Sequence, residues 1–214
     1  MRSRCTGVLL AGGSSTRFGG IAKGLLALGG RRVVDWTIDA LAQASDELLL
    51  ISNDAEVRSA LPDLAARSDV RAERGSLIGL HSALAYCDDA ALVVAWDMPF
   101  VSSQLLASLR AMGERAGSAA IPEGAGGLEP LCGYYPKACL DVAERQLAEG
   151  EMRLSAFVDA LSHRAIMPLH AVRRFGAPER LFANLNTPDD FAAAQSLMEH
   201  GHPTLEPATP RHSR

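Results

Sequence analysis

Lys23, Arg17 and the glycines just before them are residue types that cradle and neutralise phosphate. They lie in LLAGGSSTRFGGIAKGLLALGG, residues 9–30, directly after an apolar run. Gly12 and Gly13 permit close approach to the backbone, and successive amides there can form an anion-binding concavity. Arg17 and Lys23 add full positive charge. A triphosphate suits this combination. The segment has neither the Gly-Lys-Ser/Thr of a P-loop nor the Gly-x-Gly-x-x-Gly of a dinucleotide fold, and its glycines would also serve a plain strand-to-helix turn. A second candidate is Asp97, in ALVVAWDMPFVS at residues 91–102, where an apolar run ends in a carboxylate followed by Met98 and Pro99. In open parallel sheets ligands bind at the carboxyl ends of strands, and one aspartate with phosphate oxygens and water is a normal way to hold Mg²⁺. Asp97 is therefore a candidate metal ligand; its alternative is a turn or helix cap beside Pro99.

The elements that must position these residues are legible from periodicity. Apolar runs at 6–11, 47–52 and 91–96 are each short enough for a buried strand. Between and after them, Val34, Ile38, Leu41 and Ala42, and then Leu105, Leu109 and Met112, share helix faces. Strand, helix and strand in alternation imply a parallel sheet. The second half is less regular: a Pro and Gly cluster at 121–127, a strand at 129–135, and a helix face of Leu140, Ala143 and Leu147. Residues 184–188 lead into a closing amphipathic helix with Asp189 and Asp190 in its first turn and Phe191, Ala194 and Leu197 on one face. Beyond position 200, three prolines and no apolar period read as a flexible tail, 201–214. The expected architecture is α/β, a single three-layer domain over 1–200 with a mostly parallel central sheet flanked by helices.

Composition narrows the classes further. Of 214 residues, 48% are hydrophobic and 21% charged, which excludes a disordered or fibrous chain. A net charge of −4 argues against a nucleic-acid partner. Cys5, Cys87, Cys132 and Cys139 form no CxxC pair, so reduced structural thiols are expected. The apolar run at 7–11 is too short for a secretory signal, and no segment reaches transmembrane length; no membrane partner and a cytoplasmic location are the expectation.

The pattern LAGGxSxRxGGxxK, filled here from Leu10 to Lys23, resembles the signature of the nucleotidyltransferases related to molybdenum cofactor guanylyltransferase. Asp97-Met98-Pro99 is similar to that family's Asp-x-Pro motif, RGSLIGLHSAL at 74–84 to its GPLAG segment, EPLCGYY at 129–135 to its acceptor-side strand, and NLNTPDDF at 184–191 to its NxNTPEDL motif. The resemblance implies a Rossmann-like nucleotidyltransferase fold and transfer of GMP from GTP to molybdopterin with Mg²⁺. It assigns Lys23, Arg17 and Asp97 to catalysis, and Asp97 to the metal. Leu10, Ala11, Gly12, Gly13, Lys23, Asn53, Asp69 and Asp97 would hold the nucleotide, with Glu73 a rival of Asp69; Asn184 and Asn186, alternating on one face, would hold the acceptor. Transient contact with molybdoenzyme maturation proteins is also implied. A cytidylyltransferase or sugar-phosphate nucleotidyltransferase of the same fold is the alternative within the class. The departures at Ala22, where relatives often carry Asp, and at Ser76 and Ile78 also admit a nucleotide-binding regulator without turnover.

Overall fold

Two segments, β1 (Cys5–Leu10) and β6 (Ala90–Ala95), are buried along their whole length. Strands with both faces covered read as continuous apolar runs and belong in the middle of a parallel sheet. The computed structural model, which describes residues 3–12 and 22–200, places them there side by side. After β1 come a 3₁₀ turn (Lys23–Leu25), a hairpin of β2 (Ala27–Leu28) and β3 (Arg31–Arg32), α1 (Val33–Ala44), β4 (Glu47–Ile51), α2 (Ala55–Ala60), β5 (Ala65–Arg67) and α3 (Ser76–Tyr86). After β6 come α4 (Ser103–Ala116), β7 (Ala119–Gly124), β8 (Gly127–Leu128), β9 (Cys132–Pro136), α5 (Cys139–Ala148) and α6 (Leu154–Ala160). The described chain closes with β10 (Arg164–Met167), α7 (Leu169–Val172), α8 (Pro178–Leu181) and α9 (Pro188–His200).

The strands join in the order β10-β7-β9-β6-β1-β4-β5, with β8 paired to β7. β1, β4, β5 and β6 are mutually parallel, as are β7 and β10, and β9 is inserted antiparallel between β6 and β7. The sheet is thus mostly parallel and mixed, as the alternation of runs implied. Gly29 and Gly30, at φ of 60° and 80°, make the tight β2–β3 turn, a left-handed pair that other residues adopt only with strain.

Helices cover both faces. Leu9, Leu50, Leu92 and Val94 meet Val34 and Leu41 of α1 and Leu105, Leu106 and Leu109 of α4 on one side. Val8, Ala91 and Val93 meet Leu77, Leu80 and Leu84 of α3, Ala143 and Leu147 of α5 and Phe157 of α6 on the other. Each fully buried Leu or Val contributes about 1.5–3 kcal/mol relative to exposure. Among the described residues no helix is long and apolar enough to cross a membrane.

Four local expectations change. The cluster at 121–127 lies mostly in a strand, β7, where Ile121 is fully buried and Pro122 supplies a carbonyl to Glu129 N–H at 3.0 Å. The strand expected from 129 begins at Cys132, because Cys132 N–H turns back to the Glu129 carbonyl at 2.9 Å. Ala42 is exposed and Thr37 takes its share of the α1 core face. Leu197 is 40% exposed, and α9 docks on Leu28, Val33 and Leu185 through Phe191, Ala194 and Met198.

Candidate active site

The carboxyl ends of four parallel strands are stitched laterally just where the candidate residues emerge. Trp96 N–H donates to the Leu10 carbonyl at 3.1 Å, Ala11 N–H to Ile51 at 2.9 Å, and Ser52 N–H to Arg67 at 2.9 Å. This fixes the exits of β6, β1, β4 and β5 against one another, so the segments that follow open on one edge of the sheet. Asp97 leaves β6 here and is 5% exposed. Its carbonyl accepts Leu185 N–H at 3.1 Å, and the next carbonyl, of Met98, accepts Thr37 Oγ1 at 3.2 Å. Asp97 therefore does not cap α4; Ser102 does, accepting Leu105 N–H at 3.1 Å.

Lys23 Nζ donates to Asp97 Oδ2 and, at 2.7 Å, to Asn186 Oδ1. Both charged side chains are largely withdrawn from water, at 15% and 8% exposure, so the pair is held in a low-dielectric place where a lost partner is costly. Gly24 sets Lys23: its α-carbon lies on the face of the Trp96 ring, and a methyl group there would overlap the indole. On the far side, Asp190 Oδ2 accepts Asn186 N–H at 3.0 Å and Thr187 N–H at 2.8 Å, while Asp190 N–H donates to Thr187 Oγ1 at 3.1 Å. This reciprocal box starts α9 and anchors the Asn186 backbone. The Thr187 hydrogen bond, then bonds from the Asn186 and Thr187 backbone and the Lys23 charge, hold the Asp190 carboxyl below its ordinary value.

A second group forms at the ends of β4 and β5. Asn53 Nδ2 donates to Asp69 Oδ2 at 2.7 Å and Asp69 N–H returns to Asn53 Oδ1 at 2.8 Å. Asp69 Oδ1 is buried with no partner among the described residues. Glu73, its rival, is instead paired with Arg71 at 2.9 Å. α3 begins at Ser76 after Gly75, at φ 150°, with no side chain capping it, and Gly79 lies 3.6 Å from Leu10 by its missing methyl. Ile78 N–H turns back to the Gly75 carbonyl at 3.0 Å, so only the amides of Ser76 and Leu77 begin the helix without an intrahelical acceptor.

The structure brings Lys23, Asp97 and Asn186 together, and Asn53 with Asp69. The two asparagines of NLNTP have different partners: Asn186 Oδ1 accepts from Lys23, and Asn184 Nδ2 donates to the nearby Phe182 carbonyl at 3.2 Å. Leu10, Ala11 and Gly12 stand at the end of β1, and Gly13 and Arg17 lie outside the described residues. Sequence reasoning missed two supports. Asp190 had a signal, the Thr-x-x-Asp capping pattern; Gly24 on Trp96 had none beyond the adjacency of each to a charged residue.

A carboxylate at the end of β6 paired with a lysine from the 3₁₀ turn, on the open edge of a mostly parallel sheet, is an arrangement that suits a nucleotide-handling α/β transferase. The chain belongs to the MobA-like NTP transferase domain family, whose model matches residues 7–165. It is 36% identical over 199 residues to the molybdenum cofactor guanylyltransferase of Cereibacter sphaeroides, covering 91% of this chain and 97% of that one. It is 31% identical over 197 residues to the enzyme of that name from Desulfosudis oleivorans, covering 92% and 96%. The crystal structure of the molybdopterin-guanine dinucleotide biosynthesis protein A from Archaeoglobus fulgidus is similar with a TM-score of 0.79 at 28% identity, over 92% of this chain and 100% of that one.

Proposed function

We propose that this protein transfers GMP from GTP to the phosphate of molybdopterin, releasing pyrophosphate and forming the guanine dinucleotide cofactor. The observation that carries the reading is the Lys23, Asp97 and Asn186 constellation at the carboxyl edge of the sheet, in a chain so similar to guanylyltransferases over most of its length. An acceptor phosphate oxygen attacks the α-phosphorus, the bond from that phosphorus to the bridging oxygen breaks, and pyrophosphate leaves. No protein nucleophile is required, so positioning and charge neutralisation are the protein's contribution.

Lys23 Nζ is the donor for triphosphate oxygens entering beside Asp97, with Arg17 as a second cation. Leu10, Ala11, Gly12 and Gly13 supply backbone amides, and Asn53 with Asp69 receives base or ribose. Asn186, bound to Lys23, serves the reacting phosphates that both substrates share. Asn184 supports the acceptor side. Among the described residues no three carboxylate, histidine or cysteine groups gather for a metal. A single buried carboxylate is nevertheless the donor set that Mg²⁺ uses when phosphate oxygens and water complete its shell, so Asp97 fits that role. Bound there, Mg²⁺ would supply charge stabilisation between the phosphates. This reading keeps 1–200 as the catalytic unit with 201–214 appended, and places the reaction in the cytoplasm, with transient delivery to molybdoenzyme maturation proteins.

The test is pyrophosphate release with GTP, CTP, ATP and UTP in turn, with and without molybdopterin and Mg²⁺. Release that requires GTP, molybdopterin and Mg²⁺ together is expected. Preference for CTP, or release driven by a sugar phosphate, would move the protein to another substrate within the class; nucleotide binding without release would make it a regulator.

A further inference from the structure

Glu129 falls in the segment that resembles the acceptor-side strand but has been given no role of its own, and it stands at the same edge. β9 runs antiparallel to β6 with Cys132 opposite Val94, and Ala95 N–H donates to the Leu131 carbonyl at 2.9 Å. Residues 129–131 therefore lie beside the end of β6 that carries Asp97. The Glu129 main chain is fixed on both sides, its N–H to Pro122 at 3.0 Å and its carbonyl to Cys132 N–H at 2.9 Å. Its carboxylate folds over Gly124, the last residue of β7, and a methyl group at Gly124 would overlap it. Glu129 is partly buried, and among the described residues its carboxylate has neither a hydrogen-bond nor an ion-pair partner. Burial alone pushes its pKa up. The neighbouring Glu123, by contrast, accepts Leu169 N–H at 2.9 Å.

A carboxylate partly withdrawn from water, with no donor of its own among the described residues and its oxygens still reachable from the edge, is free to accept from a ligand. Two oxygens on a rigidly held main chain match two parallel N–H groups, such as a ring imino and the adjacent exocyclic amino group. That is the edge of a 2-amino-4-oxopyrimidine, shared by guanine and pterin. The strand order decides between them. Asp69, with its own unpartnered oxygen, follows β5, three strands from β6 on one side, on the order of 14 Å away at the usual strand spacing. Glu129 precedes β9 and lies against β7, two strands away on the other side, on the order of 10 Å. The two carboxylates thus flank Lys23 and Asp97, one for each heterocycle of a two-substrate reaction.

We infer that Glu129 is the specificity-determining residue for the acceptor, reading the amino and imino groups of its pterin ring; the inference rests on the guanylyltransferase reading above. Glu129→Gln keeps the volume but replaces one acceptor oxygen with a donor. Steady-state kinetics should show the KM for molybdopterin rising about 10- to 100-fold, the range for losing a charge-assisted hydrogen bond, with GTP KM and kcat at saturating acceptor within about twofold. Gly124→Ala, which displaces the carboxylate without removing it, should raise the same KM alone. As competitive inhibitors against molybdopterin, 6-hydroxymethylpterin should outcompete the 2-oxo analogue 6-hydroxymethyllumazine with the unsubstituted protein, and lose that advantage with Glu129→Gln. An unchanged acceptor KM in both variants, or a GTP KM that rises in step with it, overturns the inference while leaving the transferase reading standing. Failure of the unsubstituted protein to release pyrophosphate overturns both.

Discussion

At the residue scale, the close contact between Lys23 and Asp97 sets two opposed expectations for a single substitution. Asp97→Asn removes the charge that would hold Mg²⁺ and should abolish most turnover while leaving the fold intact. It also releases Lys23 from its strongest partner, so GTP affinity measured without metal, by calorimetry, should stay level or rise. A parallel loss of metal-free affinity and turnover would mean that Lys23 does not reach the triphosphate. The asparagines separate in the same assay. Asn186→Ala leaves Lys23 without its 2.7 Å carbonyl partner and should lower kcat/KM about tenfold, whereas Asn184→Ala loses only a 3.2 Å bond to its own turn and should cost less than about threefold. Equal effects would return both amides to one acceptor pocket. The residue types at this centre were legible in the sequence through their resemblance to a family's motifs, because on chemistry alone the glycine loop suits a plain turn and the carboxylate a helix cap equally well. Their partners were not: Lys23 and Asn186 are 163 positions apart, and alternation along NLNTP says which side chains share a face without saying what faces them.

Elements carry that centre, and their legibility tracked how strongly one local signal dominated. The strands β1, β4 and β6 were readable because each is a buried apolar run closed by turn residues. β7 was obscured because Pro122 and Gly124 read as loop chemistry, although a proline at a strand position that need not donate to the ladder is tolerated. The 3₁₀ turn carrying Lys23 was hidden for a different reason, since its geometry comes from contact with the Trp96 ring. Gly24→Ala should push that turn off the indole, costing about 1–3 kcal/mol as other overpacked sites do and raising GTP KM as Lys23 shifts. Denaturant melts and kinetics together check it, and a stable variant with unchanged KM would refute the support. In α3, His81 is 4% exposed, with Nδ1 unpartnered among the described residues and Glu144 3.9 Å from Nε2. Burial pushes its pKa down, against the opposing pull of Glu144. Below its ordinary value of 6.5 the unfolded chain binds a proton that the folded one refuses, so stability falls with acidification through that window. The melting temperature should drop between pH 7 and 5, and His81→Gln should flatten that drop; an unaltered profile would place the titrating group elsewhere.

Taken as a whole molecule, the sheet has two cores, one on each face, and the four cysteines are divided between them. Cys5 and Cys132 lie among α1 and α4, and Cys87 and Cys139 among α3, α5 and α6; all four are free and buried. Burial pushes the Cys5 thiol up to about 12 and those of Cys87 and Cys139 up to about 11, and raises Cys132 as well. At pH 8 a thiol at 11 is ionised in only about one molecule in a thousand, and it is also sealed from reagent, so alkylation in the native state must wait for opening. Because Val8 and Leu9, adjacent in β1, belong to opposite cores, neither layer can part from the sheet without exposing the strand that the other covers. The expected consequence is that Cys5, Cys87, Cys132 and Cys139 become alkylated at one common rate as denaturant is raised, read by mass spectrometry of peptides after pulse labelling. Two rates, with Cys5 and Cys132 separated from Cys87 and Cys139, would show that the layers open independently and that 1–200 is not one cooperative unit. Adding GTP with Mg²⁺ should slow all four together, since a ligand bound across the ends of β1, β4 and β6 stabilises the sheet that both cores share.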